Sequence, residues 1–329
     1  MSHRHLPALL LTACTSSADH PGSVGRDDGP NLDIPNPEED GGYLADVEDR
    51  PLPALDGPSV SATIEDLLPA LLQMHAGEIQ DVYEELLTGA SPGCPTWNTS
   101  PEGLPYWFDS CTSDGGSSFD GYAYDVDVVD RPDGDVVWSG WQFYGLTTIE
   151  TPDGRRFEST GAAGLLTGTQ ADGAQVSYSY MDEGFRYTGD AHGAAWLSTE
   201  GSPQVAAYAV HQPSTGGRLV ALEARVALTE GDFQAAVFED IQLGDSEIGA
   251  PCTREPAGLV SLRTLEGTWL TLYFEGPPVE RWGDGIEDPD SCDGCASVWT
   301  SGTRLGEVCV DTSSLLAWEG SPWETAAGP

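Results

Sequence analysis

The chain has 329 residues, of which 54 are acidic and 13 are basic, and its formal net charge is −41. Such an acidic surface repels the phosphates of nucleic acids, so we predict no nucleic-acid partner. Every basic residue other than histidine is arginine, and the lack of lysine excludes Schiff-base chemistry and the P-loop lysine.

The first residues have the layout of an export signal. Basic residues 1–5 precede the apolar stretch Leu6–Leu11, and Leu11-Thr-Ala-Cys14 follows. A basic, apolar and then small-residue order is typical of a secretory signal, and the Leu-x-Ala-Cys ending resembles the lipobox of bacterial lipoproteins. The resemblance implies a signal peptide at residues 1–13 and acylation of Cys14 with palmitate-type chains, which attach the protein to a membrane. We expect an exported lipoprotein at the outer membrane or cell surface.

The next segments differ in composition. Residues 14–60 are rich in Asp, Glu, Gly and Pro, and they bury too little apolar surface to offset chain entropy, so we predict a disordered acidic tether. In residues 61–89, a capping-box-like start at Thr63 and two apolar stripes with helical spacing predict a helical segment that packs on a sheet. Residues 313–329 end in small residues and are predicted to be a flexible tail.

The central region, residues 90–312, has the pattern of a β domain. Short alternating runs are separated by turn dipeptides, which include Asp133-Gly134, Asp153-Gly154 and Asp172-Gly173. Glycine supplies the positive φ that tight hairpin turns require. We predict a mainly β fold, a large antiparallel up-and-down meander of roughly ten to thirteen strands, as a twisted sheet, a sandwich or a barrel-like form.

Alternation within the runs predicts which side chains are buried. Leu270 and Leu272 alternate with Trp269 and Thr271. Because successive side chains of a strand point to opposite faces, we expect the leucines in the core and the other two toward water.

Six cysteines remain when Cys14 is set aside, and an even number in an exported chain predicts a disulfide-stapled domain. Two of them flank a loop rich in Pro and Trp, so we pair them with each other. The alternatives for the other four are a zinc site, which an oxidising compartment disfavours, and a redox Cys-x-x-Cys pair. The redox pair needs its first thiolate at the start of a helix, whereas the residues after Cys295 predict a strand. The predicted pairs are Cys94–Cys111, Cys252–Cys309 and Cys292–Cys295.

We predict no cofactor, and an acidic loop gives calcium as the alternative. Asp288, Asp290 and Asp293 precede Gly294, and calcium binds oxygen ligands at alternating loop positions. The EF-hand spacing is not met, and such runs also arise from acidic composition alone. A solvated loop is therefore the favoured interpretation.

Aromatic residues along the strands suggest a sugar-binding surface. Trp138, Trp141, Tyr178 and Tyr180 are spaced so that some of them share one face of a sheet, where aromatic rings can stack on sugars. The alternative is that they are ordinary strand-forming or core residues.

No pattern of residues indicates catalysis. The sequence contains no Gly-x-Ser-x-Gly elbow, and nothing singles out a pair of carboxylates. We predict that the protein is not an enzyme and has a structural or binding role, with a protein or glycan partner. The two specific alternatives are a carbohydrate-binding surface lipoprotein and a calcium-dependent adhesion module.

The chain also resembles a group of predicted lipoproteins of myxobacterial type, to which no activity is assigned. The resemblance lies in four segments and covers about residues 60 to 318. It implies export and one all-β unit, and it identifies no functional residue. The segments are Gly93-Cys-Pro-Thr96, Cys111-Thr-Ser-Asp-Gly115 with Phe119-Asp-Gly121, Cys292-Asp-Gly-Cys295, and Leu305-Gly-Glu-Val-Cys-Val-Asp311.

Overall fold

The fold is taken from a computed structural model. It describes residues 54–71, 75–101, 103–182, 185–189, 203–228, 231–279 and 292–316. The predicted signal peptide, Cys14, the tether as far as residue 53 and the tail from residue 317 lie outside this part of the chain, and so do Asp288 and Asp290.

Two helices precede the sheet, α1 at Gly57–Leu71 and α2 at His75–Leu87. The first begins upstream of Thr63 because an Asp56 side-chain oxygen accepts the backbone N–H of Ser59 at 3.3 Å, as an N-cap does. Thr63 instead lies inside α1, where its hydroxyl donates to the carbonyl oxygen of Ser59 at 2.9 Å.

Fifteen strands form one antiparallel sheet. Their bounds are β1 Trp97–Thr99, β2 Pro105–Thr112, β3 Ser118–Asp133, β4 Val136–Glu150, β5 Arg156–Ser159, β6 Ala162–Gln170, β7 Gln175–Asp182, β8 Phe185–Thr188, β9 Pro203–Gln212, β10 Leu219–Ala227, β11 Phe233–Gly244, β12 Ala257–Thr264, β13 Trp269–Glu275, β14 Cys295–Thr300 and β15 Thr303–Cys309.

The order of the strands follows the chain with one exception. The path runs from β1 to β15 without β5 and β8, which form a side branch in which β5 pairs with β4 and β8 pairs with β5. The sheet is therefore an open up-and-down meander with β1 and β15 at its edges. The predicted fold class, mainly β and antiparallel with a helical segment before it, is confirmed.

Turn dipeptides lie where the sequence places hairpins. Gly134 joins β3 to β4, Gly154 joins β4 to β5, and Gly173 joins β6 to β7, each with a positive φ. A residue with a Cβ adopts that conformation at a cost, so glycine fixes these turns locally.

The core lies between the inward face of the sheet and the two helices. On α2, the fully buried Tyr83 accepts the indole N–H of Trp107 at 2.9 Å and packs edge-on against Phe143, with ring centroids 4.7 Å apart. α2 contacts β4 to β7, and α1 contacts β15. The helices thus cover the inward face at β4 to β7 and at β15, and inward side chains of the other strands belong to the same core cluster.

The outward face is less exposed than alternation predicts. Trp269 and Thr271 are both buried, so the expectation that they face water is wrong. Trp269 packs with Ala235 and Val237 in a second apolar cluster, and the Thr271 hydroxyl hydrogen-bonds to that of Ser261 at 3.1 Å. The indole ring packs with smaller side chains of β11, two strands away, and a single-strand pattern does not show that contact.

All six described cysteines form disulfides, which excludes the zinc and redox alternatives. Cys94 pairs with Cys111 as predicted. The other two predicted pairs are wrong, because Cys252 bonds to Cys292 and Cys295 bonds to Cys309. Cys295 and Cys309 lie opposite each other in the register of β14 and β15, so strand pairing decides this bridge.

Candidate functional site

Trp141 belongs to the core and is unavailable for ligand stacking. It is 2% exposed, and its indole N–H donates to an Asp125 carboxylate oxygen at 2.6 Å. Its ring stacks on Phe143 with centroids 5.9 Å apart. The prediction that Trp141 stacks on sugars is wrong, because this position of β4 points inward toward α2.

The other three predicted aromatic residues lie on the outward face, where each is half-buried. Tyr178 and Tyr180 stack on each other with ring centroids 5.3 Å apart. A Cβ at Gly164 would lie 2.3 Å from the ring of Tyr180, and one at Gly168 would lie 3.0 Å from the ring of Trp138. These rings therefore fill the space above glycines of β6, and packing accounts for much of their surface.

A different group of outward side chains includes Phe108, the most exposed aromatic residue among those described. It occupies two neighbouring register rows on β2, β3 and β4. In the first row Tyr124 pairs with Tyr106 and Tyr144, and in the second row Tyr122 pairs with Phe108 and Leu146. We call this group the tyrosine face. Its members are Tyr106, Phe108, Tyr122, Tyr124, Tyr144 and Leu146.

Two members of the tyrosine face are unusually open to solvent. Phe108 is 71% exposed and Leu146 is 43% exposed, whereas the four tyrosines are half-buried. Leaving a large apolar side chain in water forgoes roughly 1.5–3 kcal/mol of burial energy. A group of adjoining exposed apolar and aromatic side chains is more informative than single scattered ones, so the tyrosine face is the candidate site.

Ring contacts hold the tyrosines in place. Tyr106 and Tyr124 are stacked, with centroids 5.1 Å apart and an interplanar angle of 25°. Tyr122 is nearly perpendicular to Tyr124, and its hydroxyl lies 3.2 Å from that of Tyr144. Partial burial, and then the Tyr144 hydrogen bond, raise the pKa of Tyr122 above its ordinary value of 10.0. The phenol is therefore neutral at physiological pH and can both donate and accept hydrogen bonds.

Polar side chains border the tyrosine face on both sides. The next register row contains Ser110, the exposed Asp120 and Thr148. On the other side Gln142 donates from its side-chain nitrogen to the Tyr180 hydroxyl at 3.3 Å. The site combines uncharged rings and hydroxyls with a carboxylate acceptor at its rim.

The tyrosine face was not predicted from the sequence, although the sequence contains its signal. In Tyr106-Trp107-Phe108 and in Tyr122-Ala123-Tyr124, alternate residues share a face, and the middle residue of each is buried in the core. What the sequence alone does not supply is the register that places these short runs side by side.

The candidate calcium loop is only partly described. Asp288 and Asp290 lie outside the described residues. Asp293 is exposed, and its carboxylate accepts the backbone N–H of Cys295 at 2.8 Å. Within the described part of the chain, no cluster of three or more His, Cys, Asp or Glu side chains could hold a metal ion.

His211, the one histidine whose side chain is described, is 6% exposed, and neither ring nitrogen has a hydrogen-bond partner. Burial lowers its pKa below the ordinary value of 6.5, although the charge of Asp172 opposes the shift. The imidazole is enclosed on the outward face of β9, apart from the tyrosine face.

Among the described residues, neither helix has the length and apolarity needed to span a bilayer. Searches of protein families, curated proteins and solved structures found nothing that matches this chain.

Proposed function

We propose that this chain is an exported, lipid-anchored lipoprotein that binds a ligand through its tyrosine face, without catalysing a reaction. The observation that carries the proposal is the contiguous, partly exposed aromatic surface on β2, β3 and β4. The acylated residue is Cys14, and the location is the outer membrane or the cell surface.

Three disulfides support export, because such bonds persist in oxidising compartments and are rare in the cytosol. With Cys14 as the anchor, residues 15–56 would link the membrane to α1. An extracellular anchored sheet with an open aromatic face is suited to holding a ligand near the cell envelope.

A binding role and a structural role predict different results for the same substitutions. The double variant Phe108→Ser and Leu146→Ser removes the two most exposed members of the tyrosine face. Val129→Ser is the matched control, because Val129 is 74% exposed but lies elsewhere, on the end of β3 near the turn to β4. A ligand-binding face should lose binding without losing stability.

The measurement compares the acylated, full-length parent with the variants in two respects. The first is the amount of material that each protein retains from a cell-envelope extract, and the second is its melting temperature. We expect the double variant to lose at least tenfold in retention while its melting temperature stays unchanged or rises. The control should retain as much as the parent. Equal retention by all three proteins, or a large fall in the melting temperature of the double variant, would refute the binding role.

A further inference from the structure

The tyrosine face is too small for a stable protein partner. With strands ~4.8 Å apart and alternate residues ~6.8 Å apart, its outermost Cα atoms span roughly 10 Å by 7 Å. Including the side chains, the surface is on the order of 200 Å², whereas a stable protein interface buries about 800 Å² on each partner. The area fits a small ligand or a short stretch of polymer.

Charge narrows the class of ligand. A second copy of this chain would bring another formal charge of −41 to the contact, and anionic lipids or acidic polysaccharides would meet the same repulsion. The six side chains of the tyrosine face carry no charge themselves, and the carboxylate of Asp120 lies at the rim. Repulsion therefore disfavours an anionic ligand, and the uncharged rings and hydroxyls favour a neutral one.

The chemistry of the side chains in and beside the tyrosine face also favours a particular class of ligand. Tyr106 and Tyr124 use one ring face each on the other, which leaves Phe108 as the most open ring of the group. Phe108 pairs with Tyr122 of β3, and the register rows on either side contain Tyr144 and Asp120, so phenol hydroxyls and a carboxylate acceptor lie on the same face. Aromatic surface beside hydroxyls and a carboxylate complements a molecule with both C–H faces and many hydroxyl groups.

We infer that the tyrosine face binds a neutral oligosaccharide, an inference that rests on the proposed binding function. The sugar ring would contact Phe108 and Tyr122, and its hydroxyls would exchange hydrogen bonds with the neighbouring phenols and with Asp120. The residues differ from those that the sequence suggested, since Trp141 is in the core and Tyr178 and Tyr180 lie over β6 and pack on each other.

The test titrates acylated, full-length protein in detergent with defined sugars. The probes are cellohexaose, mannohexaose and chitohexaose, with hexagalacturonate as the anionic probe. We expect at least one neutral sugar to bind with a Kd of about 1 mM or tighter, and hexagalacturonate to bind at least tenfold more weakly. Phe108→Ala should weaken binding of the neutral sugar at least tenfold. The matched control Tyr178→Ala should change the Kd less than threefold.

Envelope extract separates failure of this inference from failure of the proposed function. If sugar is the ligand, periodate oxidation of the extract abolishes retention and protease treatment does not. If retention survives periodate, is lost after protease and still requires Phe108, the binding function stands and the ligand class is wrong. Absence of binding by all three neutral sugars also overturns the inference, whatever the extract shows.

Discussion

The substitution Glu223→Gln removes a carboxyl group from β10 at a place where strand pairing is irregular. The register between β10 and β11 shifts between Leu222 and Ala224, so Glu223 lies opposite both Glu239 and Asp240. Burial, and then the charges of Asp240 and Glu239, raise the pKa of Glu223 from 4.5 to about 7. The carboxylate form is therefore unfavourable in the folded protein.

The sign of the effect on stability follows from this direction. Because the folded pKa is raised, the folded state binds more protons than the unfolded state between pH 4.5 and about 7. The contribution of Glu223 is fully present below pH 4.5 and is lost as pH rises through about 7. The full difference corresponds to ~3.4 kcal/mol. Since the side chain is only half-buried, solvent screening reduces this, and we expect Glu223→Gln to stabilise by ~1–2 kcal/mol above neutrality.

Urea unfolding of parent and variant at about pH 5 and about pH 8 measures the effect. The unfolding free energy of the variant should exceed that of the parent at the higher pH and approach it at the lower pH. Glu266→Gln, the same charge change at an exposed turn residue, is the matched control and should show a smaller difference. A Glu223→Gln protein that is no more stable than the parent at about pH 8 would refute the reasoning.

Protonation of His211 adds a second pH-dependent effect on the stability of the Glu223→Gln variant. Burial lowers its pKa below 6.5, so its contribution to stability is present above pH 6.5 and is lost as pH falls through the lowered value. In the parent, the effects of Glu223 and His211 oppose each other in this window. Glu223→Gln should therefore lose stability more steeply on acidification below pH 6.5 than the parent does.

Two further predictions concern the disulfides and the anchor. Replacing Cys252 and Cys292 by serine should cost ~4 kcal/mol of unfolding free energy, and replacing Cys295 and Cys309 ~3 kcal/mol, because the first bridge closes the longer loop, with sequence separations of 40 and 14. Urea unfolding measures both, and a mapped Cys292–Cys295 peptide would contradict the pairing. Cys14→Ser should leave an unacylated protein in the aqueous phase of a detergent extraction, whereas the unsubstituted protein should enter the detergent phase; an aqueous parent would disprove acylation.

Local sequence predicted the features that local chemistry determines. The Asp-Gly turns were identified because a positive φ is a property of one residue and its neighbours. The disulfide between Cys295 and Cys309 depends instead on the pairing of β14 with β15. Its turn, Ser301-Gly302, has positive φ at both residues, and counting outward from it brings the two cysteines opposite each other once the irregularity at Val298 is included.

The error of placing Trp138 and Trp141 in one ligand site could have been avoided from the sequence alone. Trp138 and Trp141 are three residues apart, so they point to opposite faces of β4 and cannot both contact one ligand. Burial of Trp269, in contrast, could not be predicted from the local sequence. Its outward indole packs with Ala235 and Val237 on β11, two strands away in the order of the sheet, and only the tertiary arrangement reveals that contact.

The tyrosine face is a consequence of how the core is packed beneath it. One inward register row runs through Trp107, Ala123 and Gly145, so a large indole lies beside two small residues. The bond from Trp107 to Tyr83 of α2 fixes that row against the helix, and a slip of one residue would exchange the two faces of the strand. The core therefore determines which positions face outward, but it does not require that those positions be aromatic. The stacked pair of Tyr106 and Tyr124 also stabilises the pairing of β2 with β3. Phe108 and Leu146 are exposed and gain little from burial, and it is for these two that we propose ligand binding as the explanation.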